Sequence, residues 1–396
     1  MKKLPLSFSP ADSDFLLCWT AAWLMLQTLL TFNVFSFLQP LSYLTLGMCF
    51  LNLGVMGFMF FRRMELPYFS AAVMFFYMLY VIFTVINANY VKMAVFQTVQ
   101  IMLLLILLEY YNTRYDTLLK ILALVYSACI YGNLMLMLLF PDWMFVTEDE
   151  FRSFILGGNY NQMGCRFFCG IVASYLCIPY GKRWVLNTVA VTAVSIITLV
   201  MVGSMTALSC IILLCVACLF VPNRLLRWGT YAFLVFYLLF QCFVCFSGES
   251  LYNNEVASYL VEDVLGKDLS FTKRTTVWSA SAKLFAESPL IGYGCVTDDW
   301  YLENLYSEAV GPHNFIYGVL LHGGVVLLTV FVGIIAMAYR RIRMCQDRRA
   351  QLLLFAFVTL LFMMCFEAYP FFFVFYMISM LNYYPDFYHS CTTTQS

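Results

Sequence analysis

Lys273-Arg274-Thr275-Thr276-Val277-Trp278, Ser288-Pro289-Leu290-Ile291-Gly292-Tyr293-Gly294 and Pro312-His313-Asn314 punctuate residues 247–314. This is the one long stretch that is neither apolar enough to span a bilayer nor short enough for a simple turn. On both sides of it the chain is a succession of apolar runs. Of its 396 residues, 63% are hydrophobic and 11% charged, with a mean hydropathy of +0.82. A water-soluble domain carries about 25% charged residues, so the surplus apolar side chains must face lipid. Net charge is zero, and the Lys and Arg cluster at the ends of apolar runs, not along one face. Neither feature suits a nucleic-acid partner. The composition predicts an all-α, polytopic membrane protein: one helical domain over residues 1–396, carrying a single large loop at 247–314.

A membrane helix needs about 20 apolar residues. Such runs fall at approximately 15–35, 41–61, 68–88, 92–110, 118–140, 160–180, 184–203, 205–221, 229–246, 315–338, 350–368 and 371–385, about twelve spans, of which the eighth and the last are short. No small-residue cleavage site follows the first run, so it reads as a retained span and not a removed signal peptide. Orientation follows the cations. With the N-terminus in the cytoplasm, the cytoplasmic turns receive Arg62-Arg63, Arg114 and Lys120, Lys182-Arg183, Arg224 and Arg227, and the cluster from Arg340 to Arg349. Lys92 is a mild exception. The acidic turn Asp142 to Glu150 and the loop fall on the other side, and the C-terminus returns to the cytoplasm. Most of the 15 cysteines lie inside apolar runs, among them Cys18, Cys49, Cys129, Cys177 and Cys210. There Cys packs as a small hydrophobe. The CxxC pairs Cys215/Cys218 and Cys242/Cys245 are expected in hydrocarbon too, and Cys295 is alone in the loop.

Within the loop, Thr275 to Glu287 has helical character. Trp278, Ser281, Ala282 and Phe285 share one stripe, while Arg274, Lys283 and Glu287 project elsewhere. The expectation is a membrane-surface helix with Trp278 and Phe285 dipping into the interface. Pro289, Gly292 and Gly294 then end it in a turn. Arg166 lies five residues beyond Asn161, roughly 7 Å deeper along a helix. It faces a protein interior or wet cavity, or else snorkels to the headgroups. His313 opens the tenth span, either as a proton acceptor or as a capping histidine. His322, nine residues on and roughly half a turn around the helix, reads as a buried, hydrogen-bonded residue. Asp298-Asp299, flanked by Thr297 and Trp300, reads as solvated, so no metal site is expected. Glu367 is open to two roles, binding an acceptor sugar or satisfying Tyr369.

The order Arg274, Trp278, Ser288 to Gly294, His313-Asn314 and Gly323-Gly324 resembles the O-antigen polymerase and ligase family. The many-span layout with one late external loop resembles it too. Gly157-Gly158-Asn159-Tyr160-Asn161 is similar to the family's Gly-x-Asn turn. Gly203-Ser204-Met205-Thr206 is similar to its Ser-Arg turn but has Met205 in place of the Arg. The resemblance implies a GT-C-like membrane glycosyltransferase that uses neither metal nor nucleotide cofactor. It implies an extracytoplasmic active site in a bacterial inner membrane, polyprenyl-diphosphate-linked oligosaccharides as substrates, and chain-length regulators or other assembly proteins as partners.

The residue chemistry suits that reaction. Charge builds on the departing diphosphate as the glycosidic bond breaks, and Arg binds phosphate bidentately at any working pH. Arg274 and Arg166, supported by Lys273, are the expected diphosphate ligands. His313 is the expected acceptor of the sugar hydroxyl's proton. Asn161, Trp278, Gly292, Gly294, Asn314 and Tyr317 would bind substrate or shape the loop. A polymerase is the main reading, with a ligase acting on lipid A core or protein next. A flippase would call for internal repeats and charges spread through the spans.

Overall fold

The computed structural model describes residues 39–61, 66–110, 115–146, 152–159, 162–247, 274–307, 309–367 and 369–393. Each apolar run from residue 41 onward forms a helix: α1 (Gln39–Phe61), α2 (Tyr68–Ile86), α3 (Val91–Tyr110), α4 (Tyr115–Leu139), α5 (Met163–Leu176), α6 (Lys182–Val202), α7 (Met205–Phe220), α8 (Asn223–Phe240), α11 (Phe315–Ile342), α12 (Arg348–Met363) and α13 (Phe371–Thr393). The loop supplies α9 (Arg274–Glu287) and α10 (Asp298–Asn304). The run 15–35 and the loop residues 248–273 lie outside the described residues. Among the described helices, α2, α3, α4, α6, α8 with its extension to Cys245, and α11 are long and apolar enough to cross a membrane. The chain is an all-α membrane protein. The described cysteines from Cys49 to Cys365 are thiols and form no disulfides.

The described residues fall into two compact units. The first draws on Met1–Glu65, Val99–Val202 and Asp386–Ser396. Its helices α4, α5 and α6 pack together around Asn187. The Asn187 amide donates to the hydroxyls of Ser127 (2.9 Å) and Ser174 (3.3 Å), and its carbonyl accepts from Tyr131 at 3.2 Å. Such interhelical polar contacts are a common means of joining membrane helices, which gain no hydrophobic drive from each other in lipid. Between α4 and α5 lies a small antiparallel sheet: β1 (Phe145–Val146), β2 (Arg152–Phe154) and β3 (Gly158–Asn159). It pairs Phe145 with Ser153 and Phe154 with Gly158. The sequence reading has only turns here, the acidic one and Gly157 to Asn161, because strands of two or three residues are too short to show alternation.

The second unit takes Leu66–Thr98 and Gly203–Pro385. Here α2 lies along α11, and α12 packs on α7 and α8. Phe76, Phe331, Phe371 and Phe375 interlock at its centre. At one end of α12 the Arg348 guanidinium donates to the carbonyls of Val221 (2.8 Å), Cys218 (2.8 Å) and Ala217 (3.2 Å). A helix leaves its last four carbonyls without partners, and this side chain meets those of α7. The Arg340–Arg349 cluster thus sits at the opposite end of α11 from His313.

Candidate active site

α11 does not run straight. Gly323 (φ −161°, ψ 17°) and Gly324 (φ 59°, ψ −159°) break it. In an unbroken helix the N–H groups of Val325 and Val326 would bond the carbonyls of Leu321 and His322. Instead they donate to Pro289 (2.9 Å) and Leu290 (3.4 Å). The stranded Leu321 and His322 carbonyls accept from Tyr293 (2.7 Å) and Gly294 (3.1 Å). Two helical bonds are replaced by four bonds to the Ser288–Gly294 turn. Its glycines allow the approach. A Cβ on Gly294 (φ +73°) would lie 2.3 Å from the Thr84 Cα, and one on Gly292 (φ +57°) 2.4 Å from the Leu321 carbonyl oxygen. From the other side the α2–α3 turn holds the same strand: Asn89 donates to the Tyr293 carbonyl (2.6 Å) and Tyr90 N–H to the Cys295 carbonyl (2.8 Å).

That turn fixes the C-terminal end of α9, and the rest of α9 packs on α11. Its buried face is Thr275, Val277, Trp278, Ser281 and Leu284. Trp278 is 0% exposed, while Phe285 only borders the core formed by Val277, Leu284, Val296, Tyr301 and Leu305. The expected surface helix is therefore corrected: Trp278 enters the protein, not the lipid headgroups. The reason is tertiary, since α11 and the 295–309 segment supply an apolar wall that the stripe alone does not reveal. The indole N–H points to the His313 carbonyl at 3.4 Å.

α9 begins with Arg274, and this side chain is the centre of the site. Its Nε donates to the Phe366 carbonyl at 2.5 Å, and its Nη2 donates to Glu367 Oε1 at 2.7 Å. Glu367 lies in the connection after α12 and is 5% exposed. Its second oxygen, Oε2, faces His313 Nδ1 at 4.0 Å. His313 has φ +44°, a left-handed conformation that costs a non-glycine residue about 1–2 kcal/mol. Asn314 holds the following turn. Its Oδ1 accepts from the Tyr317 N–H at 3.1 Å, capping α11, and its amide exchanges two hydrogen bonds with Gln241 (3.0 and 3.2 Å). Gln241 starts a π turn, Gln241–Cys245, that extends α8. Single π turns recur at functional sites.

Burial governs the titration of the pair. It raises the Glu367 carboxyl to about 7, against the opposing pull of Arg274. Burial, and then the Arg274 charge, push the His313 imidazole down to about 4. His313 is therefore neutral at neutral pH, and in this setting a weaker base than an ordinary imidazole.

The other expected site residues are placed as follows. Tyr317 is 2% exposed and packs on Phe246, so it belongs to the core and not to an open mouth. Arg166, in the first unit, is buried and donates from Nη1 to the Gly157 carbonyl at 2.7 Å. Gly158 (φ +75°) sits against the same guanidinium. Met205 starts α7 and is exposed. His322 meets the Tyr301 hydroxyl at 2.9 Å. Asp298 and Asp299 are exposed in the first turn of α10, below the Thr297 cap. Lys273 and Asn161 lie outside the described residues. Among the described residues no group of His, Cys, Asp or Glu could hold a metal ion. The sequence reading left Glu367 open between an acceptor-sugar ligand and a partner of Tyr369, did not pair it with Arg274, and missed Gln241. The only signal for Glu367 is a carboxylate at the end of an apolar run.

Residues 167–332 match the family model described as O-antigen ligase. This stretch belongs to the O-antigen polymerase and ligase family. The match covers less than half of the chain but takes in Arg274, Trp278, the Ser288–Gly294 turn, His313 and the Gly323-Gly324 break; Arg166 and Glu367 fall outside it. It supports an activity of the polymerase or ligase type, carried out by a membrane glycosyltransferase. Comparison with curated proteins and with solved structures gave no match.

Proposed function

We propose that this chain is a polysaccharide polymerase of the O-antigen or capsule type, transferring a growing glycan from its polyprenyl diphosphate carrier to a lipid-linked repeat unit. The observation that carries this reading is the convergence of Arg274, Glu367 and His313 at the end of the second unit away from the arginine cluster. Cations mark the cytoplasmic side of membrane proteins, so the site faces outward, where lipid-linked glycans are joined. There is no call for a nucleotide cofactor on that face.

In the reaction, Arg274 presents its guanidinium to the donor's diphosphate, with Lys273 as a further cationic ligand. Neutral His313 takes the proton of the attacking sugar hydroxyl. The hydroxyl oxygen bonds to the anomeric carbon, the bond from that carbon to the diphosphate breaks, and the diphosphate leaves as an anion beside Arg274. Fixed charge aimed at the leaving group is worth most where burial lowers the dielectric. The test is a deletion strain. Loss of this chain should leave single repeat units on the carrier or the final acceptor. Long glycans stranded on the carrier would show ligation instead. Full-length polysaccharide made with His313→Ala would remove His313 from the mechanism.

A further inference from the structure

The Glu367 carboxylate holds Arg274 and faces His313, yet neither the proton transfer nor the departure of the diphosphate uses it. Oε1 holds Arg274 at 2.7 Å, while Oε2 stands 4.0 Å from His313 Nδ1, just outside hydrogen-bond reach. That Nδ1 is buried and meets no hydrogen-bond partner among the described residues. A buried ring nitrogen facing a carboxylate across a gap is an unfinished dyad. Among the described residues, the charged or titratable groups that face Glu367 are Arg274 from α9 and His313 from the turn before α11.

Resting on the polymerase reading, we propose that Glu367 is a positioning residue with two states. It is the counter-ion of Arg274 before the donor binds. When a diphosphate takes the guanidinium, it becomes the hydrogen-bond partner of His313 Nδ1–H. Phosphate competes well for an Arg fork, because the fork offers several donors in a geometry that matches its oxygens. As the guanidinium turns to the diphosphate, Oε1 and Oε2 are released to close the remaining gap. The carboxylate then fixes the imidazole in the tautomer whose Nε2 is bare, and stabilises the imidazolium that forms when the acceptor hydroxyl gives up its proton. Catalytic His residues are commonly oriented in this way by a carboxylate. The proton moves from hydroxyl to Nε2, the glycosidic oxygen bond forms as the bond to diphosphate breaks, and the imidazolium later returns its proton to solvent or to the departing diphosphate. Donor binding thereby arms the base, and a hydroxyl arriving at the empty site meets an unsupported imidazole. The near-neutral titration of Glu367 is consistent with a carboxylate that changes partners.

The experiment uses the purified full chain in detergent, lipid-linked repeat units extracted from the deletion strain, and farnesyl diphosphate as a binding probe. Glu367→Gln keeps a carbonyl for Arg274 but cannot take a charge opposite His313. Expected are farnesyl diphosphate binding at least as tight as in the parent, a turnover lower by ~10²-fold, and loss of the rise in kcat with pH near neutrality. Glu367→Asp, one methylene shorter, keeps that rise at reduced turnover and serves if the Gln variant does not fold. Weakened binding with an unchanged pH rise would make Glu367 a structural counter-ion only and overturn the proposal, as would parental turnover. If Arg274→Ala and His313→Ala also turn over normally, the polymerase reading itself fails, a result distinguishable from failure of the two-state carboxylate.

Discussion

Gly324→Ala is the perturbation whose cost follows most directly from the geometry. Gly324 has φ 59° and ψ −159°, a region essentially reserved for glycine. Forcing alanine into it costs about 1–3 kcal/mol. The new Cβ would lie 2.2 Å from the Leu290 carbonyl carbon and oxygen and 2.5 Å from the Pro289 oxygen. These are backbone atoms and cannot swing aside as a side chain would. Relief requires moving the Ser288–Gly294 turn away, which breaks the Val325–Pro289 and Val326–Leu290 bonds, at about 1 kcal/mol each. The sum is roughly 3–5 kcal/mol, a large share of the 5–15 kcal/mol by which proteins are typically stable. Gly333 in the same helix has nothing within 4 Å of its hypothetical Cβ. Gly333→Ala is the matched control and should gain up to about 1 kcal/mol from helix propensity. Both proteins would be heated in detergent and the surviving monodisperse fraction measured by size exclusion. Gly324→Ala should lose its folded fraction far below the control. If the two melt together, the turn is not clamped into α11 and the account of α9 placement is wrong.

Further outcomes are expected. Arg274→Lys keeps the charge but loses the fork that bonds Phe366 and Glu367 together, so glycan assembly should fall at least about tenfold, measured as polysaccharide chain length per unit of protein. Arg166→Ala leaves the Gly157 carbonyl without its 2.7 Å donor and should destabilise the chain by about 1–3 kcal/mol; an unchanged melting temperature with lost farnesyl diphosphate binding would instead make Arg166 a ligand. Stability should also respond to pH in a particular way. Glu367 titrates near 7 when folded, above its ordinary 4.5, so its contribution is present below about 4.5 and is lost as pH rises through 7. His313 titrates near 4, below its ordinary 6.5, so its contribution is present above about 6.5 and is lost as pH falls through 4. Between about 4.5 and 6.5 the slopes oppose each other, and melting should be nearly flat. His313→Ala should expose the carboxylate's slope, stability then falling as pH rises from 5 to 7; a rise there would refute the assignment.

The helices were legible in the sequence because hydropathy needs no partner: 41–61 and 205–221 agree with α1 and α7 at one end and differ by one or two residues at the other. The turn was legible too, since Pro289, Gly292 and Gly294 announce backbone that no other residue type forms as easily. What escaped depended on distant residues. Arg274 and Glu367 are 93 positions apart, and no spacing rule joins a cation in a loop to a carboxylate at the end of an apolar run. Trp278 was read as facing lipid because a stripe shows that one face is apolar, not what covers it. For Arg166 the sequence left burial and snorkelling both open; it is buried and donates to the Gly157 backbone carbonyl, a group that every residue carries and none advertises.

The clamp at Gly323-Gly324 joins α9 and the first half of α11 like the two prongs of a fork, with Arg274 at one tip and His313 at the other. The handle is backbone hydrogen bonding, indifferent to most side chains around it. Between handle and tip, Tyr301, Leu305 and Ala309 pack against both prongs and help to hold them apart. A lineage that must lengthen a different glycan can rewrite the exposed positions of that segment, Thr297 to Asp299 and Leu302 to Asn304, while the chemistry at the tips stays where it is.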